Sequence, residues 1–183
     1  TGNPLGMLAG KPTTEYNSIA QQSIDSITYN GPAQPVCYGA VRNTLQWNNI
    51  TLSFNISYKL GYYFRSQSID YNTLFGSWSG HADYALRWQQ PGDEQHTSVP
   101  SLLYPSDSQR DVFYNYSSVL VEKADNIRLE DISISYDIDK AQCKALPFKH
   151  VRLYGYAANL AVLWTANSKG IDPYYNNTPA ARK

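Results

Sequence analysis

The sequence lacks any apolar stretch long enough to cross a membrane as a helix. A spanning helix needs about 20 consecutive, predominantly apolar residues, and the longest uncharged apolar run, around Leu160–Trp164, is far shorter. A helical membrane protein is therefore excluded.

The chain also lacks an excess of charge of either sign. Lysine plus arginine number 15 and aspartate plus glutamate number 15 among the 183 residues. No net electrostatic field would attract nucleic acid, so a nucleic-acid partner is not expected. Charged residues make up 16% of the chain, against about a quarter in typical soluble domains.

Residues that would carry catalysis or metal binding are sparse. The two cysteines, Cys37 and Cys143, form no C-x-x-C pair, and the histidines (His81, His96 and His150) are scattered without ligand spacing. No metal or cofactor is predicted from these positions, although a disulfide remains possible from the count alone. The sequence contains no G-x-S-x-G or H-E-x-x-H motif, and the adjacent Glu130 and Asp131 should point to opposite faces of a strand. An enzyme is therefore not predicted.

Aromatic residues are abundant, and they occur in alternating patterns. In Thr51–Phe64 every second residue from Leu52 is apolar or aromatic, while the other face is mainly polar. This 14-residue pattern exceeds the usual strand of about 5–6 residues and suits a barrel strand, which needs about 9–11 to cross a membrane. Tyr62, Tyr63 and Phe64 at its end predict an aromatic girdle at a membrane interface.

Two hairpins of the same kind are predicted. Tyr38–Trp47 alternates and connects through Asn48-Asn49 to the strand just described. Farther on, Asp131–Ile138 alternates and Val151–Trp164 returns, with a bulge predicted beyond Ala158. The predicted fold class is all-β, with antiparallel strands forming part of a large transmembrane β-barrel.

Between the hairpins lies a long segment without sustained periodicity, Arg65–Asp111. Outer-membrane barrels combine long extracellular loops with short periplasmic turns, so we expect Arg65–Asp111 to be extracellular. Asn48-Asn49 and the Asp139–Lys149 turn would then be periplasmic. Because this orientation separates Cys37 from Cys143, it predicts that they do not form a disulfide.

The long segment interleaves aromatic and charged residues, which is how proteins commonly grip sugar rings. We predict substrate contacts from five of them: Trp78, Tyr84, Trp88, Asp83 and Arg87. The alternative is that the aromatic residues pack the loop on itself or against a capping lipoprotein. Trp88 could instead anchor the turn formed by Pro91–Glu94.

Several strings resemble one known family. Arg87–Glu94 reads R-W-Q-Q-P-G-D-E and precedes Val99-Pro100, and further similar strings are Ala124–Ile132 and Gly170–Pro173. They resemble the carboxy-terminal barrel region of the SusC/RagA-like TonB-dependent outer-membrane receptors of Bacteroidetes, along residues 1–183. The resemblance implies a 22-stranded barrel that imports oligosaccharides or peptides, a SusD-like surface lipoprotein as partner, and energy from the TonB complex.

The resemblance also implies that the chain is a fragment. In this family the plug domain and TonB box precede any residue present here, and a final barrel strand follows, so TonB would act only through a missing amino-terminal part. The competing hypothesis is a soluble secreted β-sandwich that binds carbohydrate through Trp and Tyr. It predicts strands of about six to eight residues, with the Leu52–Phe64 face packed on a second sheet.

Overall fold

The computed structural model describes residues 2–140, 144 and 147–175. In chain order the strands are β1 (Gly6–Leu8), β2 (Lys11–Thr13), β3 (Cys37–Trp47), β4 (Ile50–Leu60), β5 (Tyr63–Arg65), β6 (Val121–Lys123), β7 (Asn126–Asp139) and β8 (His150–Thr165). The α-helices are α1 (Tyr16–Ala20), α2 (Tyr71–Ser77) and α3 (Ser108–Asn115). Among the described residues, no helix combines the length and apolarity needed to cross a membrane.

The chain divides into two compact units. The loop unit contains Thr1–Gly31 and Phe64–Glu122, and the sheet unit contains Pro32–Tyr63 and Lys123–Tyr175. Strand is the main secondary structure and the helices are few and short, which agrees with the all-β prediction.

The sheet unit is built on one open antiparallel sheet in the order β3-β4-β7-β8. Both predicted hairpins are confirmed. Trp47 pairs with Ile50 across Asn48-Asn49, where Asn48 has a φ of 50°, and Asp139 pairs with His150. The turn between Asp139 and His150 lies partly outside the described residues, as does Cys143. The predicted separation of the cysteines is therefore untested.

β4 is shorter than predicted. It ends at Leu60, and Gly61 turns the chain with a φ of 77°. The Gly61 N–H donates to the Asp125 carboxylate at 2.7 Å. Beyond the turn Tyr62 is buried, and its hydroxyl accepts a hydrogen bond from the Asn126 side chain at 2.8 Å. The predicted continuous strand to Phe64 is wrong, and Tyr62 is buried instead of forming part of the predicted aromatic girdle.

The sheet is not one half of a sandwich. No residue of β3, β4 or β8 is buried, and every residue of β4 is partly exposed. These strands run for 11, 11 and 16 residues, well beyond the length that the sandwich predicts. A β-sandwich would bury one face of β4 against a second sheet, so the structure contradicts that alternative.

The strands carry the predicted bulge and two more, one of them where Ile127 pairs with Trp164 and Arg128 with Val162. Ala158 pairs with Asp131, and Ala161 pairs with Leu129. Two residues of β8, Asn159 and Leu160, therefore lie opposite the single residue Glu130, and Asn159 has a φ of 53°. The bulge predicted beyond Ala158 is confirmed. Glu130 is also an extra residue relative to β4, because Asp131 pairs with Asn55 and Leu129 with Ile56.

The loop unit has its own small core. Ile69, Tyr71 and Val99 are buried together, with partly buried Leu74, Phe75 and Tyr84 packed against them. The Tyr71 hydroxyl donates to the Pro100 carbonyl at 2.7 Å, and burial raises the pKa of this phenol to about 12. The segment Arg65–Asp111, which has no sustained periodicity in the sequence, thus contains the short helix α2 and the start of α3.

Polar side chains fix the helices of the loop unit. Asp70 caps α2 by accepting the Thr73 N–H at 2.7 Å, and Asp107 caps α3. The buried guanidinium of Arg110 donates to Asn3 Oδ1 at 2.9 Å and to the Ser101 carbonyl at 2.8 Å. The short helices α2 and α3 are thus stabilised by side-chain caps, and α3 also by the hydrogen bonds of its buried arginine.

Candidate functional site

The most extensive candidate site is the sheet itself, whose two faces differ in chemistry. The register of the four strands places aliphatic and aromatic residues on one side, the apolar face: Val41, Leu45, Trp47, Ile50, Leu52, Phe54, Ile56, Tyr58, Ile127, Leu129, Ile132, Ile134, Tyr136, Leu153 and Trp164. The other side, the polar face, includes Arg42, Thr44, Ser53, Asn55, Ser57, Lys59, Arg128, Asp131, Ser133 and Arg152. The two faces therefore continue across four strands, although bulges reset the one-residue alternation within β7 and β8.

Aromatic residues stand at both ends of the apolar face. At the hairpin-turn end, Trp47 and Tyr136 flank Ile50 in one cross-strand row. At the opposite end, Tyr58 and Trp164 flank Ile127 in another. Between these rows the face is mainly aliphatic, over about 27 Å along β4.

The apolar face is open to its surroundings. Val41 is 59% exposed, Leu45 54% and Leu153 58%. Soluble monomers rarely expose apolar patches larger than a few hundred Å², and a face spanning four strands of this length exceeds that. The arrangement suits an apolar environment or another protein surface.

The polar face is held by a hydrogen-bond network between strands. Arg42 Nη2 donates to Asp131 Oδ2 at 3.0 Å, and the Asn55 amide donates to the same oxygen at 3.1 Å. The Ser57 hydroxyl donates to Glu130. Glu130 and Asp131 therefore reach the same face, because the bulge at Glu130 resets the alternation. The expectation that they point to opposite faces is wrong.

Of the predicted substrate residues, Arg87 and Trp88 come together at a cleft in the loop unit. The cleft has a volume of about 480 Å³. Its lining comprises Asn3, Arg87, Trp88, Gln89, Ser101, Leu102 and Leu103. An aromatic ring, a cation and neutral hydrogen-bonding groups thus line one concave surface, which is the composition expected of a site for a polar organic solute.

The other three predicted residues lie outside this cleft. Tyr84 packs against the loop-unit core, and its ring lies 4.1 Å from the Arg87 guanidinium. The Asp83 carboxylate accepts from the Ser68 hydroxyl at 2.8 Å. Trp78 is 90% exposed and ends α2 in the left-handed conformation, with a φ of 57°. The structure therefore does not gather the five residues into one site.

Trp88 also stabilises the turn that follows it. Its indole N–H donates to Glu94 Oε2 at 2.9 Å, and the Gly92 N–H donates to the same oxygen. These two donors and the Glu94 backbone N–H, with the indole contributing most, hold the pKa of the Glu94 carboxyl below its usual range. The Asp93 carboxylate accepts from the backbone N–H groups of Gln89 and Gln90.

No group of three or more His, Cys, Asp or Glu side chains suited to a metal ion occurs among the described residues. His81 lies beside Asp83, and His150 lies between Asp137 and Asp139. Cys37 is an exposed free thiol.

Sequence patterns did not reveal the contact between Arg128 and Asp172. Arg128 Nη1 lies 2.7 Å from each Asp172 carboxylate oxygen. The two residues are 44 positions apart, and only the fold shows that they meet.

Comparisons with known proteins identify a fold. No protein-family model matches the chain, and no curated protein matches it. Among solved structures, the chain is similar to the RagAB peptide transporter, with a TM-score of 0.61, 19% identity and coverage of 94% of this chain. It is also similar to the RagAB peptide importer in the open-open state, with a TM-score of 0.59, 19% identity and coverage of 93% of this chain. For the closed-closed state of that importer, the TM-score is 0.56, the identity 20% and the coverage of this chain 90%. The chain spans 17–18% of those chains.

Proposed function

We propose that the chain is part of an outer-membrane TonB-dependent nutrient importer of the SusC/RagA-like kind, from a Bacteroidetes-like Gram-negative bacterium. In this proposal β3, β4, β7 and β8 are part of the barrel wall, and the loop unit is extracellular. The imported solute is an oligosaccharide or a peptide. The observation that carries the proposal is the two-faced sheet with its exposed apolar face.

The dimensions of the apolar face favour contact with outer-membrane lipid. Its aromatic rows are about 27 Å apart along the strand, comparable with the apolar band of about 25 Å that aromatic girdles flank in outer-membrane barrels. Trp47 and Tyr136 would lie at the periplasmic interface, and Tyr58 and Trp164 at the outer one. The polar face would then line the lumen or meet a plug.

The open edges of the sheet support the same proposal. β3 and β8 are its outer strands, and within the described part of the chain each leaves backbone groups without a strand partner on one side. Unpaired edges are costly against lipid, and in this proposal neighbouring strands of a larger barrel pair with them. The likeness to RagAB chains, which are over five times longer than the matched segment, is consistent with this arrangement.

The loop unit is proposed to contact solute and a partner. The cleft at Arg87 and Trp88 would receive part of the solute. The highly exposed Trp78 would contact a SusD-like surface lipoprotein, since exposed tryptophans are common anchors at protein interfaces. The membrane proposal for the sheet depends on neither the solute contact nor the lipoprotein contact. Either contact can therefore be disproved without affecting the membrane proposal.

Tryptophan quenching by brominated lipid tests the membrane proposal. The chain has four tryptophans, and single-tryptophan variants isolate each in turn after reconstitution into lipid vesicles. We expect bromine placed near the headgroups to quench Trp47 and Trp164, whereas Trp78 and Trp88 keep their emission. If Trp47 and Trp164 are unquenched while the reconstituted chain retains its β-sheet circular dichroism, the proposal is wrong.

A further inference from the structure

The segment Asn167–Tyr174, here called the strap, folds onto the polar face of the sheet after β8 ends. The Asn167 side chain fixes its turn, because its amide donates to the Ile171 carbonyl at 2.7 Å and its oxygen accepts the Ile171 N–H at 2.8 Å. Gly170, with a φ of 64°, allows the tight return. This turn delivers Asp172 to β7.

At β7 the strap meets two cations. The Arg128 guanidinium, whose side chain is only 6% exposed, donates to both Asp172 oxygens at 2.7 Å. The Tyr174 ring lies between Arg128 and Lys59, with each cationic group 4.2 Å from the ring centroid. A carboxylate and an aromatic ring from one short segment therefore occupy a site with two positive charges.

We infer that Arg128 and Lys59 form a carboxylate-binding site on the polar face, and that the strap occupies this site as an internal competitor. A solute carboxylate would displace Asp172 and bind the same two cations. The ligand class is an organic carboxylate, from either a peptide carboxy terminus or an acidic sugar.

The charge balance of the polar face supports the site. Asp131 is already bound by Arg42 and Asn55, and Glu130 accepts from Ser57. Within the described part of the chain, Lys59 has no carboxylate at ion-pair distance. Apart from Asp172, the described carboxylate that attracts Arg128 is Glu130, at longer range.

The contacts between the strap and the sheet can be replaced by contacts with a solute. No apolar residue of the strap is buried, and Tyr174 remains 41% exposed. Asp172 keeps 18% exposure, so solvent and solutes reach it. An external carboxylate in the same geometry meets the same desolvation cost as Asp172, so it can compete for the two cations at sufficient concentration. The inference depends on the proposed function only in that transport would bring solutes to this face.

Binding of small carboxylates to the full chain in detergent micelles tests the site without requiring a membrane or transport. The probes are N-acetyl-triglycine with N-acetyl-triglycine amide as its neutral control, and glucuronate with glucose as its neutral control, measured by calorimetry. Asp172→Asn removes the competing charge with little change of shape. Its matched control is Asp139→Asn, an exposed carboxylate at the opposite end of β7.

We expect Asp172→Asn to bind one of the two carboxylates at least about tenfold more tightly than the unmodified chain, because the open fraction of the site rises. The neutral probes should not bind, and Asp139→Asn should behave like the unmodified chain. Adding Lys59→Gln to Asp172→Asn should weaken binding at least about threefold, and adding Arg128→Gln should abolish it. Which carboxylate binds identifies the source of the ligand.

The inference is overturned if Asp172→Asn binds carboxylates no better than Asp139→Asn, or if Lys59→Gln leaves the gain unchanged. Lys59 is the more informative second position, since Arg128→Gln could disturb folding. Circular dichroism of each variant confirms that the sheet is intact. Loss of this site would leave the lipid-quenching result unaffected, so the two proposals fail separately.

Discussion

Trp88 shows how one side chain can serve the fold and still be available to a ligand. Its indole N–H is engaged by Glu94, while the residue also lines the cleft beside Arg87. Gly2 packs closely against it, because a Cβ added at Gly2 would lie 2.5 Å from the Trp88 ring. The structural role suggested by its sequence context is therefore present, and the predicted ligand contact remains a proposal.

Acidification is expected to release Trp88 from Glu94. Since hydrogen bonding lowers the folded-state pKa of Glu94, its stabilising contribution is present above the unfolded-state pKa and is lost as the pH falls through the folded-state pKa. In the chain with ¹⁵N-labelled tryptophan, the Trp88 indole resonance should titrate with a midpoint below the ordinary glutamate pKa. Glu94→Gln should abolish this titration. A midpoint at or above the ordinary value would contradict the assignment.

At the scale of elements, glycine conformation decides where β4 ends. The apolar alternation continues through Tyr62 and Phe64 in the sequence, but the chain turns at Gly61. The turn sends Tyr62 to Asn126 instead of extending the strand. Side-chain periodicity indicates on which face of a strand a residue would lie. It does not indicate the sign of the backbone angle φ, which is positive at Gly61.

Alanine substitutions at two glycines should have opposite effects. Gly61→Ala should lower the free energy of unfolding by about 1 kcal/mol, because an L-residue is strained at positive φ and its Cβ would lie 3.2 Å from the Val36 Cβ. Gly76→Ala should raise it by about 0.5–1 kcal/mol, since this helical glycine has open space around it. Denaturant unfolding of the chain in micelles measures both. If both substitutions changed the free energy of unfolding in the same direction, the explanation of the turn at Gly61 would be wrong.

At the scale of the whole molecule, the two compact units obtain their stability in different ways. The loop unit has a small apolar core and a buried arginine. The four-stranded sheet is held by backbone hydrogen bonds between its strands and by side-chain hydrogen bonds. Three of its four strands, β3, β4 and β8, contain no buried residue. A sheet of this kind requires surroundings that replace the missing core.

Lysine substitution at adjacent positions of β7 distinguishes its faces. Ile132 lies midway along the apolar face and Ser133 lies beside it on the polar face. In lipid vesicles, Ile132→Lys should destabilise the folded state by about 2–4 kcal/mol, as a charge at mid-depth in lipid does, whereas Ser133→Lys should cost less than about 1 kcal/mol. Urea titration of folding into vesicles measures both. A larger cost at Ser133 would reverse the assignment of the faces.

Local alternation determined much of the sheet. It predicted both hairpins, the Asn48-Asn49 turn, the bulge after Ala158 and the separation into polar and apolar faces, because strand side chains alternate with a period of two. It also predicted the strand lengths that distinguish this sheet from a sandwich. The same alternation wrongly predicted that β4 continues beyond Gly61. It also wrongly predicted that Glu130 and Asp131 lie on opposite faces of the sheet.

Contacts distant in sequence were decided only by the tertiary structure. The order β3-β4-β7-β8 brings Arg42 to Asp131, and the turn after β8 brings Asp172 to Arg128. In the loop unit, Tyr84 packs against the small core and the Arg87 guanidinium without lining the cleft that Arg87 and Trp88 share. The sequence by itself determined the residues each strand presents to its two sides, since that follows from neighbouring positions. Which of those residues meet depends on pairing and loop closure across many positions, and no local pattern encodes that.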